Sequence, residues 1–110
     1  MTEPRIHVRP TRYQVCALPE GDINEPSYTI DVEYRGRDLW AVTRHSRCLG
    51  RDGTWDYEMR PSEREDDWLR EHRFDLDTAL ELARAAAPHV TVNGHTVAEA
   101  LAQAEEADPT

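Results

Sequence analysis

Asp31, Glu33, His45, Asp56 and Glu58 are the side chains whose types first suggest chemistry. All five fall on the polar parity of alternating segments, which would place them on one face of a sheet. Hard cations want several oxygen ligands converging within ~2.0–2.6 Å, so a small metal-dependent enzyme built on these carboxylates is one alternative. Pairing argues against it. The register inferred below sets Arg47 opposite Glu58, and an exposed cross-strand pair of this kind removes a ligand while contributing only ~0.2–1 kcal/mol. His45 and Cys48 have a His-x2-Cys spacing, but residues three apart on one strand point to opposite faces, and zinc takes three or four ligands. Nucleophilic catalysis lacks a base near Ser46 or Ser62, and the glycines occur singly at turns with no phosphate-cradling loop. No catalysis, no metal and no cofactor are expected.

Two other groupings suggest binding. Residues 35–51 hold Arg35, Arg37, Arg44, Arg47 and Arg51 against Asp38 alone, with Trp40 and His45 interleaved. A basic β-ribbon can contact phosphates or enter a groove, so a nucleic-acid interface is the first alternative reading. The second grouping is acidic: Glu63, Glu65, Asp66 and Asp67, followed by Trp68. Such a segment can present carboxylates to a basic protein, and a Trp among charges has the character of an interface anchor. Its plainer reading is a solvated helix surface with acids near the helix N-terminus.

Charge decides which grouping leads. The chain carries a formal net charge of −9, and this acidity is uneven: residues 1–60 hold nine Arg and ten acids, residues 61–110 four Arg and twelve acids. A phosphate field would repel most of the molecule, so nucleic-acid binding would need strict segregation of charge. Every basic residue is Arg and none is Lys, a bias of the kind a GC-rich genome produces, which weakens the arginine count as a sign of anion binding.

At 110 residues the chain suffices for one domain with a single modest core. Its ends, 1–11 and 105–110, are expected to be flexible. No run approaches the ~18 apolar residues of a membrane span, and the N-terminus lacks a signal-peptide plan, so a cytoplasmic protein with no membrane partner is expected. Two cysteines, Cys16 and Cys48, are too few for a disulfide framework.

The pattern that must position these residues changes period near residue 60. Tyr13 to Leu18 reads as a strand, Glu20 to Pro26 as a loop, and Tyr28 to Tyr34 alternates as a strand with one buried face. Arg35-Gly36-Arg37 turns into a run from Asp38 to Leu49, and Asp52-Gly53 signals a two-residue hairpin before Thr54 to Met59. A three-residue first turn pairs Val32 with Trp40 and Ile30 with Val42; the second turn sets Cys48 against Tyr57. The dry face would then carry Ile30, Val32, Tyr34, Trp40, Val42, Cys48, Trp55, Tyr57 and Met59.

Helix formers dominate afterwards. Ser62-Glu63-Arg64-Glu65 has the form of a capping box and opens either a short helix through Leu69 or an acidic loop. Leu76, Ala79, Leu80, Ala83 and Ala87 share one helical face, stopped by Pro88. His89 to Val92 reads as extended, Asn93-Gly94 turns, and Thr96 caps a last helix with Val97, Ala100, Leu101 and Ala104 inward. The expected fold is α+β: an antiparallel meander of about four strands with C-terminal helices packed on one face.

Leu39-Trp40-Ala41-Val42, Cys48-Leu49-Gly50, Asp52-Gly53-Thr54-Trp55, His72-Arg73-Phe74-Asp75 and Val90-Thr91-Val92-Asn93-Gly94 together resemble small uncharacterised proteins of actinobacteria and their phages over residues 12–102. The resemblance implies a host setting, with no activity or ligand attached. The leading expectation is a non-catalytic module that binds a host or cognate protein through its acidic surface, as a phage or mobile-element modulator would. An edge strand pairing with its own copy also leaves a homodimer open.

Overall fold

The computed structural model describes residues 2–107. Its centre is an antiparallel five-stranded sheet in sequential order: β1 (Arg12–Val15), β2 (Ile30–Tyr34), β3 (Trp40–Arg44), β4 (Arg47–Leu49) and β5 (Trp55–Tyr57). The helices are α1 (Glu25–Tyr28), α2 (Asp66–His72), α3 (Leu76–Ala86) and α4 (Val97–Ala107), with single 3-10 turns at Pro61–Glu63 and Ala87–His89. The architecture is the expected α+β meander. Among the described residues no helix is long and apolar enough to cross a membrane.

The fifth strand arises because the run from Asp38 to Leu49 folds back on itself. Thr43 pairs with Cys48 and Arg44 with Arg47, leaving His45 and Ser46 as a two-residue turn. Such a turn needs a positive φ at its first central position, and His45 supplies it at 57°. The reversal inverts the parity of β4. Cys48 shares a face with Thr43 and Asp56, while Leu49 pairs with Trp55 on the other. The next turn is also one residue longer than its Asp-Gly signal implies: Gly50 N–H bonds the Thr54 carbonyl at 2.9 Å, and Gly53 takes φ 83°. Arg47 therefore stands opposite Tyr57 rather than Glu58.

The first hairpin keeps the expected parity but moves its register by two residues. Val32 pairs with Val42 and Tyr34 with Trp40, around a loop of Gly36, Arg37 and Asp38 that all have positive φ. Because a two-residue shift preserves the faces of a pleated strand, Ile30, Val32, Trp40 and Val42 remain together in the core, each 7 % exposed or less.

Helix α3 roofs this apolar face. Asp75 accepts the Thr78 N–H at 3.3 Å as its N-cap, and Ala79 and Ala83 are buried against the sheet, where α3 lies over β1, β2 and β3. Thr96 and Glu99 form a reciprocal capping box at α4, with Glu99 N–H to Thr96 Oγ1 at 3.2 Å and Thr96 N–H to Glu99 Oε1 at 3.4 Å. Val97 and Ala100 complete the core. Helix α4 runs on to Ala107; of the end expected to be flexible, 108–110 lies outside the described residues.

Phe74 is the point where the chain passes from one side of the sheet to the other. Its N–H and carbonyl both bond to Trp40, at 3.0 and 2.7 Å, closing a one-residue bridge at the end of β3. Its ring is 1 % exposed in the core, while the preceding Arg73 reaches Glu58 on the opposite side of the sheet. Phe74→Ala would empty the junction between the two layers. The expected cost is about 3–5 kcal/mol, read as a lower urea midpoint at unchanged m.

Candidate functional site

The sheet face opposite α3 bears Asp31, Glu33, Ala41, Thr43, Cys48 and Asp56, as the pairing requires. It is not a bare solvated surface: Ala41, Thr43 and Cys48 are 4 % exposed or less. Its organising group is the Glu58 carboxylate, which receives three guanidinium groups. Arg35 binds it bidentately at 2.9 and 2.9 Å, Arg73 donates at 3.0 Å, and Arg64 at 3.4 Å. Glu33 extends the network, accepting from Thr43 Oγ1 at 2.6 Å and from Arg35 at 3.5 Å.

Burial alone would push the Glu58 carboxyl up, but the Arg35 hydrogen bond and the charges of Arg35, Arg73 and Arg64 outweigh it and hold the group below its ordinary value. The two main partners respond differently. The hydrogen bond to Glu58 raises Arg35, whereas burial lowers Arg73 despite the attraction of Glu58. Cys48 lies beside the same network with its thiol pushed up to about 11, by burial first and by the Glu58 charge second. It is a protonated, inaccessible thiol at neutral pH.

This network fixes the acidic segment. Arg64 Nε also donates to the Met59 carbonyl at 2.8 Å, and Arg51 clamps the C-terminal end of α2 by donating to the carbonyls of Arg70 at 2.7 Å and Arg73 at 3.2 Å. Glu65, rather than Ser62, precedes the first turn of α2, with no side-chain cap bond. Glu63, Glu65, Asp66 and Asp67 are exposed. Of these four only Asp67 has an ion partner among the described residues, Arg70 at 3.6 Å, and both side chains of that pair are almost fully solvated, so it adds little.

Trp68 is placed differently from its acidic neighbours. Its ring stacks on His72 with centroids 4.4 Å apart and planes at 18°, and the Arg73 and Arg64 guanidinium groups lie 5.1 and 5.7 Å from its centroid. His72, itself 4 % exposed, donates from Nδ1 to the Trp68 carbonyl at 2.8 Å, and its Nε2 stands 3.5 Å from Asp56 Oδ2. Trp68 thus covers the buried Arg73 and flanks the half-buried Arg64.

The basic ribbon is divided by the fold. Arg35 belongs to the Glu58 network and Arg51 to the α2 clamp, where it also covers the Phe74 ring at 4.9 Å. Arg37 sits in the β2–β3 loop, at the opposite end of β3 from Arg44 and Arg47. The five side chains first considered for metal are likewise dispersed: Asp31 pairs with Arg12 at 3.0 Å, Asp56 faces His72, Glu33 and Glu58 share the arginine network, and His45 is in a turn. Among the described residues no three His, Cys, Asp or Glu side chains gather as a metal site.

Two outcomes follow from this geometry. Glu58→Gln leaves three guanidinium groups around a neutral amide and should destabilise by on the order of 2 kcal/mol, between the values for exposed and buried pairs. Because the folded carboxyl is depressed, its stabilisation is complete above the unfolded value of ~4.3 and is lost as pH falls through the folded value. The stability gap between wild type and variant should therefore close below about pH 4, as measured by urea unfolding across pH. Trp68→Ala, which removes the stack on His72, should lower stability by ~1–3 kcal/mol in the same assay, so this variant reports on packing as well as on binding.

Comparison with known proteins gave no match: no family model, no curated protein and no solved structure is similar to this chain.

Proposed function

We propose that the protein is a non-catalytic binding module whose acidic face, carried by Glu63, Glu65, Asp66 and Asp67 beside Trp68, docks a basic surface of a partner protein. The observation that carries this reading is the unequal use of charge. Arg35, Arg64 and Arg73 are drawn to Glu58 and Glu33, and Arg51 to the carbonyl end of α2, whereas the four acids of this segment point to solvent without buried counter-charges. Unneutralised carboxylates on a rigidly held segment steer and select a positively charged partner.

The segment is prepared for such a role by its anchoring. A surface already ordered by the Glu58 network and the Arg51 clamp loses little freedom on association. The resemblance to small actinobacterial and phage proteins extends the proposal to a cytoplasmic setting and to a host or cognate protein as the partner. The nucleic-acid alternative is weakened by the internal use of Arg35 and Arg51.

The triple reversal Glu65→Lys, Asp66→Lys, Asp67→Lys tests the reading. Captures from a nuclease-treated lysate with wild type and variant as baits should differ by at least ~10-fold in one near-stoichiometric, salt-sensitive protein. The melting temperature should stay within a few degrees, as exposed substitutions allow (about 0.5 kcal/mol). Equal capture by both baits would remove the acidic face from the function.

A further inference from the structure

The five-stranded sheet is wider than its helical roof. Helix α3 lies over β1, β2 and β3, so the apolar side of β5 is left partly open beside the 3-10 turn Ala87–His89, although Leu49 of β4 is buried. Trp55 is only half-buried there and Tyr57 is 69 % exposed. Two adjoining cavities occupy this gap, of about 350 and 340 Å³, and they share Trp55, His89 and Val90.

The two cavities differ in chemistry. The first is walled by the β3–β4 hairpin, where Arg44 and Arg47 flank the His45-Ser46 turn, and it contains no carboxylate. The second continues over Leu49, Leu82, Ala85 and Ala86. In an acidic protein whose Arg12, Arg35, Arg64 and Arg73 each have a carboxylate within 3.5 Å, Arg44 and Arg47 have none among the described residues. Arg44 is held instead by the carbonyls of Ser27 at 2.9 Å and Thr91 at 3.4 Å, and its buried Nε has no hydrogen-bond partner. Burial accordingly pulls the Arg44 guanidinium below its ordinary value. Arg47 stands over the Tyr57 ring at 5.1 Å, a position from which its donors remain free for a ligand.

From this arrangement we infer that the groove between β5 and the turn after α3 binds a small anionic amphiphile. Its carboxylate, sulfonate or phosphate head would sit between Arg44 and Arg47, and its aromatic or short aliphatic body along Trp55, Leu82 and Ala86. A guanidinium pair without a counter-ion gains charge-assisted hydrogen bonds from such a head. The adjoining apolar wall and volumes of this order suit a small organic molecule. The preformed backbone contacts of Arg44 keep one guanidinium in place before any ligand arrives.

The test is a titration of the intact ¹⁵N-labelled protein with 2-naphthoate, its neutral analogue 2-naphthylmethanol, inorganic phosphate, and a short single-stranded oligonucleotide. The expected result is saturable shifts from 2-naphthoate at residues 44–47, 55–57 and 82–91, with the alcohol and phosphate each bound at least ~10-fold more weakly. Arg47→Gln, at an exposed position, should weaken 2-naphthoate by a similar factor without moving the melting temperature. His89→Ala should weaken it as well, independently of charge on the hairpin. Equal binding of the alcohol would overturn the anionic head, and equal binding of phosphate would overturn the apolar body. Tighter, steeply salt-dependent binding of the oligonucleotide would reassign the groove to nucleic acid. Shifts elsewhere, or a dimer that covers the groove, would also overturn the inference.

Discussion

A carboxylate that must remain ionised in partial burial organises much of this molecule. Glu58 follows the last strand, and its three guanidinium partners come from the end of β2, from the segment before α2 and from the residue just after it. Neither side of the arrangement is tolerable without the other: an unpaired carboxylate or a lone buried Arg73 would be strongly destabilising. Their mutual requirement specifies where the 58–73 segment lies on the sheet. Apolar packing alone would leave that less determined, because the covered face offers little beyond Ala41, Cys48 and the methyl of Thr43.

The domain therefore has two layers with different physics. Between α3, α4 and the sheet, packing is dry and made by Ile30, Val32, Val42, Phe74 and small helix residues. On the other side, cohesion comes from directional ion pairs, a stacked Trp68–His72 pair and backbone carbonyls capped by Arg51. Phe74 joins the layers and belongs to both, through its ring on one side and its neighbour Arg73 on the other. The acidic face rests on the ionic layer, and the uncovered groove opens from the dry one.

Alternation made β2 and the first half of β3 readable, and a capped, Pro-terminated stripe made α3 readable, because each depends on local pattern. The His45-Ser46 turn was not readable: it carries neither Gly nor Asn, and the flanking residues alternate straight through it. That omission put Cys48 on the wrong face, while the extra residue in the turn after β4 moved Arg47 from Glu58 to Tyr57. The Glu58 network was hidden for another reason. Its arginines at 35, 64 and 73 have no periodic relation to residue 58, so only tertiary structure brings them together. Trp68 was legible as a tryptophan among charges, but the same signal describes an exposed anchor and a cover over the buried Arg73. Arg44 and Arg47 stood out only as part of a basic run, and the fold separates them from the rest of it.

The outer strands carry one more consequence. Strand β1 has four residues, with Pro10 and Pro19 close on either side, and β5 has three, with Pro61 soon after. Proline cannot donate to a ladder, so a neighbouring chain laid along either border would find few consecutive backbone partners. An open sheet with borders this short offers a poor template for edge-to-edge growth, which protects the protein against fibrillar aggregation without a covering element at either border.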